Sequence, residues 1–195
     1  LRSLEAIGVI EAHHGVGRVV REFSFAPVLE NLSYGLLFQN QSILQITDIR
    51  VALDSFFIEP AMQNLSAEDI ETLTSLVAEM RQLEAQGLPI SRPDYRFHEL
   101  LYQRCGNPLA LQLFEIAWRA RERALDQDLV FKEIPPGTAR EHAEILAAIQ
   151  QKDVERARQV LIGHHWNIKR RFAEQIQREA LRGRKANASI GKEEI

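Results

Sequence analysis

The stretch PDYRFHELLYQRCGNP, residues 93–108, has the spacing of an amphipathic helix that carries ionisable groups on its apolar side. Residues three and four apart are neighbours on a helix, which puts on one side Asp94, Phe97, His98, Leu101, Tyr102 and Cys105. The other side is polar, so the first side faces the interior. Because an unpaired ionisable group is costly to bury, Asp94 and His98 need a partner, and we interpret that partner as a metal ion.

The composition is that of a soluble globular protein. The 195 residues are 45% hydrophobic and 26% charged, enough for one large domain and part of a second. A net charge of -3 gives no support for nucleic-acid binding by the whole chain, but it does not exclude a small basic module. The single cysteine, Cys105, excludes an internal disulfide and predicts a cytoplasmic protein. No apolar run approaches the roughly 20 residues of a membrane span, so we expect no membrane partner.

The first 22 residues have the pattern of the end of a domain. The chain begins without Met and in mid-helix pattern, so we expect further residues upstream of Leu1. Residues 1–7 predict the last turns of a helix that ends at Gly8. VIEAHHGVGRVV, residues 9–20, has strand-forming residues on both sides of a Gly-x-Gly tip, which predicts a β-hairpin.

Beyond residue 23 the hydrophobic periodicity is helical, so the fold is predicted to be all-α apart from the hairpin. The predicted helices span residues 26–38, 42–63, 67–86, 92–105, 108–128, 139–151 and 153–183. Ser66 with Asp69, and Thr138 with Glu141, have the spacing of a capping box. Residues 184–195 are polar and aperiodic, which predicts a frayed, flexible tail.

Two further helices repeat the anomaly of a histidine on an apolar face. His142 shares a stripe with Ile145 and Ile149 in the helix predicted at 139–151. In the last helix His164 follows the spacing of the apolar positions, but its neighbour His165 also has apolar residues at helical spacing. Periodicity alone does not choose between these two histidines.

Three imidazoles and one carboxylate from three helices suit a divalent first-row metal. Zinc is the first candidate, and nickel, iron and manganese are alternatives. Asp94 and His98 would clasp the ion from one helix, with histidines of the other two completing the site. Open coordination positions would admit water or the carboxylate of a small ligand. The alternative is that each histidine is an ordinary buried side chain satisfied by hydrogen bonds, and spacing does not decide between the two.

Three motifs of the chain resemble those of one known family. They are LRSLEAIGVIEAHHGVGRVV, residues 1–20, DYRFHELLYQRCGNPLAL, residues 94–111, and EHAEILAAIQQKDVERARQVLIGHH, residues 141–165. The first is similar to the end of a winged helix-turn-helix with its wing. Together they resemble GntR-type transcription regulators of the FadR branch, whose effector-binding domain is the helical FCD domain.

The resemblance implies a fold and a ligand set. It implies the end of a winged helix-turn-helix at residues 1–22, an FCD-like antiparallel bundle of six or seven helices at residues 26–183, and dimerisation through that bundle. It also implies that the metal lies at the floor of an effector pocket and is bound by Asp94, His98, His142 and His164, which selects His164 over His165.

Arg50 is a candidate effector-binding residue because it lies on the inward stripe of the helix predicted at 42–63. A guanidinium binds a carboxylate through two parallel hydrogen bonds, and the resemblance places an arginine of this helix near the effector. The alternative is a packed stem with its charged head in water or paired with an acid. The chain departs from the family pattern here, since Asp54 stands where the family often has Glu.

The resemblance also implies DNA contacts in the first 22 residues. Arg2 and Ser3 would end the recognition helix, which reads base edges in the major groove. The wing residues His14, Gly15, Gly17 and Arg18 would lie along the DNA backbone or minor groove, although Arg18 stands where the family commonly has Thr. The alternative is a hairpin that needs glycine for positive φ and has no DNA role.

The expected function is a metabolite-responsive, DNA-binding transcription regulator, with repression as the first expectation. Its expected partners are operator DNA, a small organic acid and a second copy of the chain. A metal-dependent enzyme is one alternative, although no general base or nucleophile is paired with the predicted site. A helical interaction domain with a purely structural metal is the other.

Overall fold

The computed structural model describes residues 1–21, 41–126 and 137–190. The helix predicted at residues 26–38 lies outside these ranges, as do residues 191–195 at the end of the predicted tail.

The N-terminal residues form a short helix and a two-stranded hairpin, as predicted. Helix α1 (Arg2–Ala6) is followed by strands β1 (Ile10–His13) and β2 (Gly17–Val20), which pair antiparallel with Ile10 opposite Val20. Gly15 and Gly17 have φ angles of 81° and 101°, a conformation that residues with a Cβ rarely adopt, so the tight turn requires glycine at these two positions.

Six longer helices follow within the described residues, and the predicted all-α bundle is confirmed. They are α2 (Gln41–Asn64), α3 (Ala67–Ala85), α4 (Ser91–Arg104), α5 (Pro108–Asp126), α6 (Thr138–Gln150) and α7 (Val154–Ile190). One boundary was wrong, because α7 runs to Ile190 and the first part of the predicted flexible tail, residues 184–190, is helical. Residues 184–190 include Ala, Arg and Lys, which propagate a helix without an apolar stripe.

The six longer helices pack against one another in one bundle. Helix α4 packs against α2, α3 and α5, while α7 packs along α2 and α6, and α3 packs against α6. The largest fully buried apolar side chains are contributed by all of these helices except α2 and include Leu73, Met80, Phe97, Phe114, Ile145 and Leu161. This packing turns the inward stripes of α4, α6 and α7 toward one interior region.

The two predicted capping boxes have different outcomes. At the start of α3 the box is confirmed: Ser66 Oγ accepts from the Asp69 N–H at 3.1 Å, and Asp69 Oδ2 accepts from the Ser66 N–H at 2.8 Å. At the start of α6 the prediction was wrong. Gly137, with φ of 95°, occupies the cap position, and Thr138 is already helical.

The backbone N–H groups at the start of α6 find their acceptor in a residue far away in sequence. The backbone N–H groups of Gly137 and Thr138 donate to Glu84 Oε1 at 2.8 and 3.1 Å. A carboxylate from α3 therefore supplies the acceptor that a cap side chain would provide. This leaves the carboxylate of Glu141 available for a contact with α7.

Within the described residues, no helix combines the length and the apolar character needed to cross a lipid bilayer.

Replacement of Ser66 by Ala tests the cap of α3. The variant loses the acceptor for the Asp69 N–H, so we expect the free energy of unfolding to fall by about 1 kcal/mol, the usual cost of losing such a cap. Urea denaturation followed by circular dichroism measures this change.

The matched control is Ser75→Ala, which removes an exposed serine from the middle of the same helix. Alanine favours a helix interior, so this variant should be at least as stable as the parent chain. Equal stability of the two variants would show that the Ser66 cap contributes nothing.

Candidate metal and effector site

Four predicted side chains converge inside the bundle. Asp94 and His98 come from α4, His142 from α6 and His164 from α7. Each offers one potential ligand atom, and these four atoms all lie within 4.8 Å of one another. All four residues are buried, with at most 2% of their surface exposed.

The atoms that face the centre of this cluster lack ordinary partners. Asp94 Oδ1 lies 3.0 Å from His142 Nε2 and 3.4 Å from His98 Nε2. Neither approach has hydrogen-bond geometry, and within the described part of the chain these three atoms have no other partner. Buried polar atoms without partners are costly, and one divalent cation between them would satisfy all three. The donor set, three imidazoles and one carboxylate, fits a first-row metal.

Two of the three imidazoles are oriented by hydrogen bonds at their outer nitrogen. His142 Nδ1 lies 2.9 Å from the carbonyl oxygen of Thr138, to which it donates. His164 Nδ1 lies 2.7 Å from Glu141 Oε2 and donates to that carboxylate. A proton at Nδ1 leaves Nε2 with its lone pair directed inward, as metal-binding histidines require.

Burial and neighbouring charges set the protonation states that a metal needs. Burial lowers the pKa of His98 to about 4, although Asp94 acts in the opposite direction. Burial also lowers the pKa of His164 well below its usual range, assisted by His142. Burial alone would raise the pKa of Asp94, but His142, His98 and Arg121 outweigh it and hold the pKa well below the usual range. At neutral pH a cation would therefore meet neutral imidazoles at His98 and His164 and an ionised carboxylate at Asp94.

The structure places the two adjacent histidines of α7 in different polar clusters, a choice that helical periodicity left open. His164 belongs to the four-residue cluster, whereas His165 Nε2–H donates to Asp54 Oδ2. Asp54 also accepts from the Tyr102 hydroxyl through Oδ1. Burial alone would raise the pKa of Asp54, but the charges of His165 and Arg50 and the hydrogen bond from His165 hold it well below its usual range. A second buried polar cluster therefore adjoins the first.

Arg50 is turned inward, as one of the two predictions for it required. It is 6% exposed, its Nη2 lies 3.5 Å from Asp54 Oδ2, and its guanidinium lies 5.1 Å from the centroid of the Phe114 ring. It lines a cavity of about 400 Å³, including the part that is open to solvent. The arginine is therefore paired with an acid and also lines a pocket that is partly open to solvent.

Sequence reasoning missed Arg121 and Glu141 at this site. Arg121, on α5, lines the same cavity as Arg50, and its Nη1 lies 3.3 Å from Asp94 Oδ2. Its spacing from Phe114 and Trp118 on the inward stripe of α5 was an available signal. Glu141 was interpreted as a cap, and its contacts with His164 and Asn167 on another helix leave no trace in local spacing.

The residues predicted to contact DNA lie on the N-terminal helix and hairpin. Arg2 and Ser3 are on α1, His14 and Gly15 are in the turn, and Gly17 and Arg18 are on β2; all six are exposed. Arg18 Nε lies 3.6 Å from Glu5 Oε1, an ion pair that joins the hairpin to α1.

Comparison with known proteins identifies the family of the bundle. The model of the FCD domain matches residues 45–166, which is more than half of the chain and includes all four residues of the cluster. This chain belongs to the FCD domain family. The resemblance to GntR-type regulators that carry an FCD domain is thereby confirmed, and so is the helical fold that it implied.

The relatives of this FCD protein are transcriptional regulators. The HTH-type transcriptional regulator LutR of Bacillus subtilis (strain 168) is 27% identical over 113 residues, which cover 58% of this chain and 52% of the relative. The Uxu operon transcriptional regulator of Escherichia coli (strain K12) is 26% identical over 189 residues, 89% of this chain and 70% of the relative. The chain thus spans about half the length of the first of these relatives.

A solved structure confirms the fold of the FCD protein. Streptococcus agalactiae GntR superposes with a TM-score of 0.60 at 20% identity, over 87% of this chain and 78% of that one. The relatives are named as transcriptional regulators, which favours a regulator over the metal-dependent enzyme.

Zinc binding to the metal-free protein tests the cluster. A cation that binds only the folded state should raise the melting temperature, with about 2.7 kcal/mol of stabilisation when free zinc is about 100 times its dissociation constant. We expect His142→Ala to lose most of this zinc-induced shift, measured by differential scanning calorimetry.

The matched control is His14→Ala, which removes an exposed histidine of the hairpin turn and should keep the full shift. Since His142→Ala also changes the core, the quantity compared is the zinc-induced shift of each variant and not its absolute stability. Equal shifts in both variants would rule out His142 as a ligand.

Proposed function

We propose that this chain is the effector-binding part of a metabolite-responsive, DNA-binding transcription regulator. Its FCD domain would bind a divalent metal, with zinc as the first candidate and nickel, iron or manganese as alternatives, and a small carboxylate effector. The observation that carries the proposal is the buried convergence of Asp94, His98, His142 and His164, of which the first three have inward atoms that lack hydrogen bonds. The regulators among its relatives support the same function.

The effector would bind next to the metal and to Arg50. Four protein ligands leave one or two positions in five- or six-coordinate geometry, which a carboxylate oxygen of a small molecule could occupy. The cavity beside the cluster is lined by Arg50, whose Nε is buried and unpartnered within the described residues. A guanidinium in this position favours an anionic ligand over a neutral one.

The N-terminal helix and hairpin would be the end of a winged helix-turn-helix at residues 1–22, followed by the FCD domain from residue 26. In this proposal Arg2 and Ser3 lie at the end of the recognition helix, and the wing carries His14, Gly15, Gly17 and Arg18 to the DNA backbone. The exposure of all six supports the assignment. So does the description of LutR as an HTH-type regulator.

A homodimer formed through the FCD domain would match a two-fold operator. Helix α2 exposes Ile49 and Phe56, which are 58% and 72% accessible, on one face with the exposed Ala52 between them. An exposed apolar stripe of this kind suits a contact between two copies of one chain. The regulator would act in the cytoplasm, in keeping with its single free cysteine.

Regulation would follow from coupling between the effector site and the DNA-binding heads. The effector site is built from residues of α2, α4, α5, α6 and α7, so an added ligand favours one arrangement of these helices over another. Such coupling changes DNA affinity by about 5–150-fold in typical cases. An effector that binds both arrangements equally would shift nothing, so the contacts with Arg50 must differ between them.

Binding of small carboxylates to the chain tests the effector site. We expect isothermal titration calorimetry to detect acetate or a larger organic acid only when the metal is bound. Arg50→Gln should weaken this binding about tenfold or more, because it removes charge-assisted hydrogen bonds. The control is Arg96→Gln on the exposed face of α4, which should bind as the parent does.

If metal binds but no organic acid does, the structural-metal alternative is correct. If the acid binds Arg50→Gln and Arg96→Gln equally while both melt at similar temperatures, the effector site remains but the proposed contact with Arg50 is wrong.

Selection from a random DNA library with the full-length protein tests the regulator. Two copies related by a two-fold axis should select a palindromic site with half-sites about one helical turn apart, or a multiple of that spacing. An effector found by calorimetry should change the affinity for that site about 5–150-fold in a mobility-shift assay. Recovery of no common sequence would contradict the DNA-binding role.

A further inference from the structure

The cavity beside the cluster is lined by two arginines from different helices. Arg50 reaches it from α2 and Arg121 from α5. Aliphatic side chains, Thr47 and His165 make up the rest of the described lining, which contains no acidic residue. The charge of this lining, two guanidiniums without an acidic residue, suits a small molecule that carries negative charge.

The two guanidiniums occupy separate positions around one aromatic ring. Their central carbons lie 5.7 Å, for Arg50, and 4.8 Å, for Arg121, from the centroid of the Trp118 ring. Each has its own acidic partner: Arg50 pairs with Asp54 and Arg121 with Asp94. The two arginines therefore occupy different positions, and each provides hydrogen-bond donors at a different place in the cavity.

Both arginines keep unused hydrogen-bonding capacity. The contact of Arg50 with Asp54 measures 3.5 Å and that of Arg121 with Asp94 measures 3.3 Å, both long for charge-assisted hydrogen bonds. The Nε atom of each is buried and has no partner among the described residues. Each guanidinium has five N–H donors in a planar fork, and the Nε–H of each is left without a partner among the described residues.

We propose that the cavity takes a small dicarboxylate, with one carboxylate bound at Arg50 and the other at Arg121. This inference rests on the proposed effector site and narrows its ligand class. A monocarboxylate occupies one of the two positions and leaves the second guanidinium unused. Arg121 is then the residue that determines specificity for a dianion.

A ligand bound at both positions joins parts of the bundle that a monoanion leaves unconnected. It spans α2 and α5 directly. Through Asp54 the Arg50 end is linked to His165 on α7, and through Asp94 the Arg121 end is linked to the metal cluster on α4. The dicarboxylate therefore has contacts that depend on the relative positions of these helices, which a regulatory ligand needs.

Calorimetry on the metal-loaded chain with a matched series of acids tests this inference. The probes are acetate and propionate against malonate and succinate. We expect the parent chain to bind the better dicarboxylate about tenfold or more tightly than either monocarboxylate, the difference that one additional charge-assisted contact makes. In Arg121→Gln this ratio should fall to near one, because the second carboxylate loses its guanidinium.

Two further variants separate specificity from general damage. Arg119→Gln removes an exposed arginine of the same helix and should keep the parent ratio. Arg121→Lys keeps a positive charge without the planar fork and should have an intermediate ratio. The ratio is measured at saturating metal, so a change in metal affinity through Asp94 does not alter it, and the melting temperature of each variant is recorded alongside.

The possible failures are distinct. If acetate and the dicarboxylates bind the parent equally, or if Arg121→Gln and Arg121→Lys both keep the parent preference, the dicarboxylate inference is overturned and the carboxylate effector survives. A preference caused by chelation of the metal alone would give the second of these results. If no acid binds the metal-loaded chain, the proposed effector site fails, and this inference fails with it.

Discussion

One buried carboxylate, that of Asp94, determines how the centre of this bundle is organised. Its Oδ1 faces the imidazoles of His98 and His142, and its Oδ2 faces the guanidinium of Arg121. An ionised group that is 2% exposed is stable only when its surroundings compensate the lost hydration. Three helices, α4, α5 and α6, must therefore be placed so that their polar groups meet at this side chain, and the apolar core fills the space around them.

A second buried carboxylate, Asp54, lies beside the first, and α7 connects the two. The consecutive residues His164 and His165 point in different directions from the helix, one to the cluster of Asp94 and the other to Asp54. The centroids of their imidazole rings lie 5.2 Å apart. A shift in the position of either carboxylate would therefore affect the same turn of α7. The cavity lined by the two arginines adjoins both carboxylates. In this arrangement the proposed effector would lie against residues that belong to several helices.

Local sequence signals predicted the described helices and the hairpin. They also predicted, to within a few residues, where most of these elements begin and end. The helical spacing of apolar residues predicted the described helices of the bundle, and the Gly-x-Gly tip predicted the hairpin, because these patterns depend on residues close in sequence. Two of the failures, at the start of α6 and at Glu141, have a common cause. The cap of α6 comes from Glu84 on another helix, and Glu141 binds His164 and Asn167 on α7, contacts that no local pattern encodes. Helix α7 continues past residue 183 because polar residues with good helix propensity need no apolar stripe.

The sequence by itself determined which faces of the helices point inward and that Asp94, His98 and His142 lie on them, since burial of a side chain follows the period of the helix. It did not determine which of His164 and His165 joins the others, because both have apolar neighbours on α7. Only the tertiary structure decided this, together with the pairing of His165 with Asp54 and the place of Arg121 opposite Arg50. These are contacts between helices, and they depend on the rotation and distance at which the helices pack, quantities that the periodicity of a single helix does not contain.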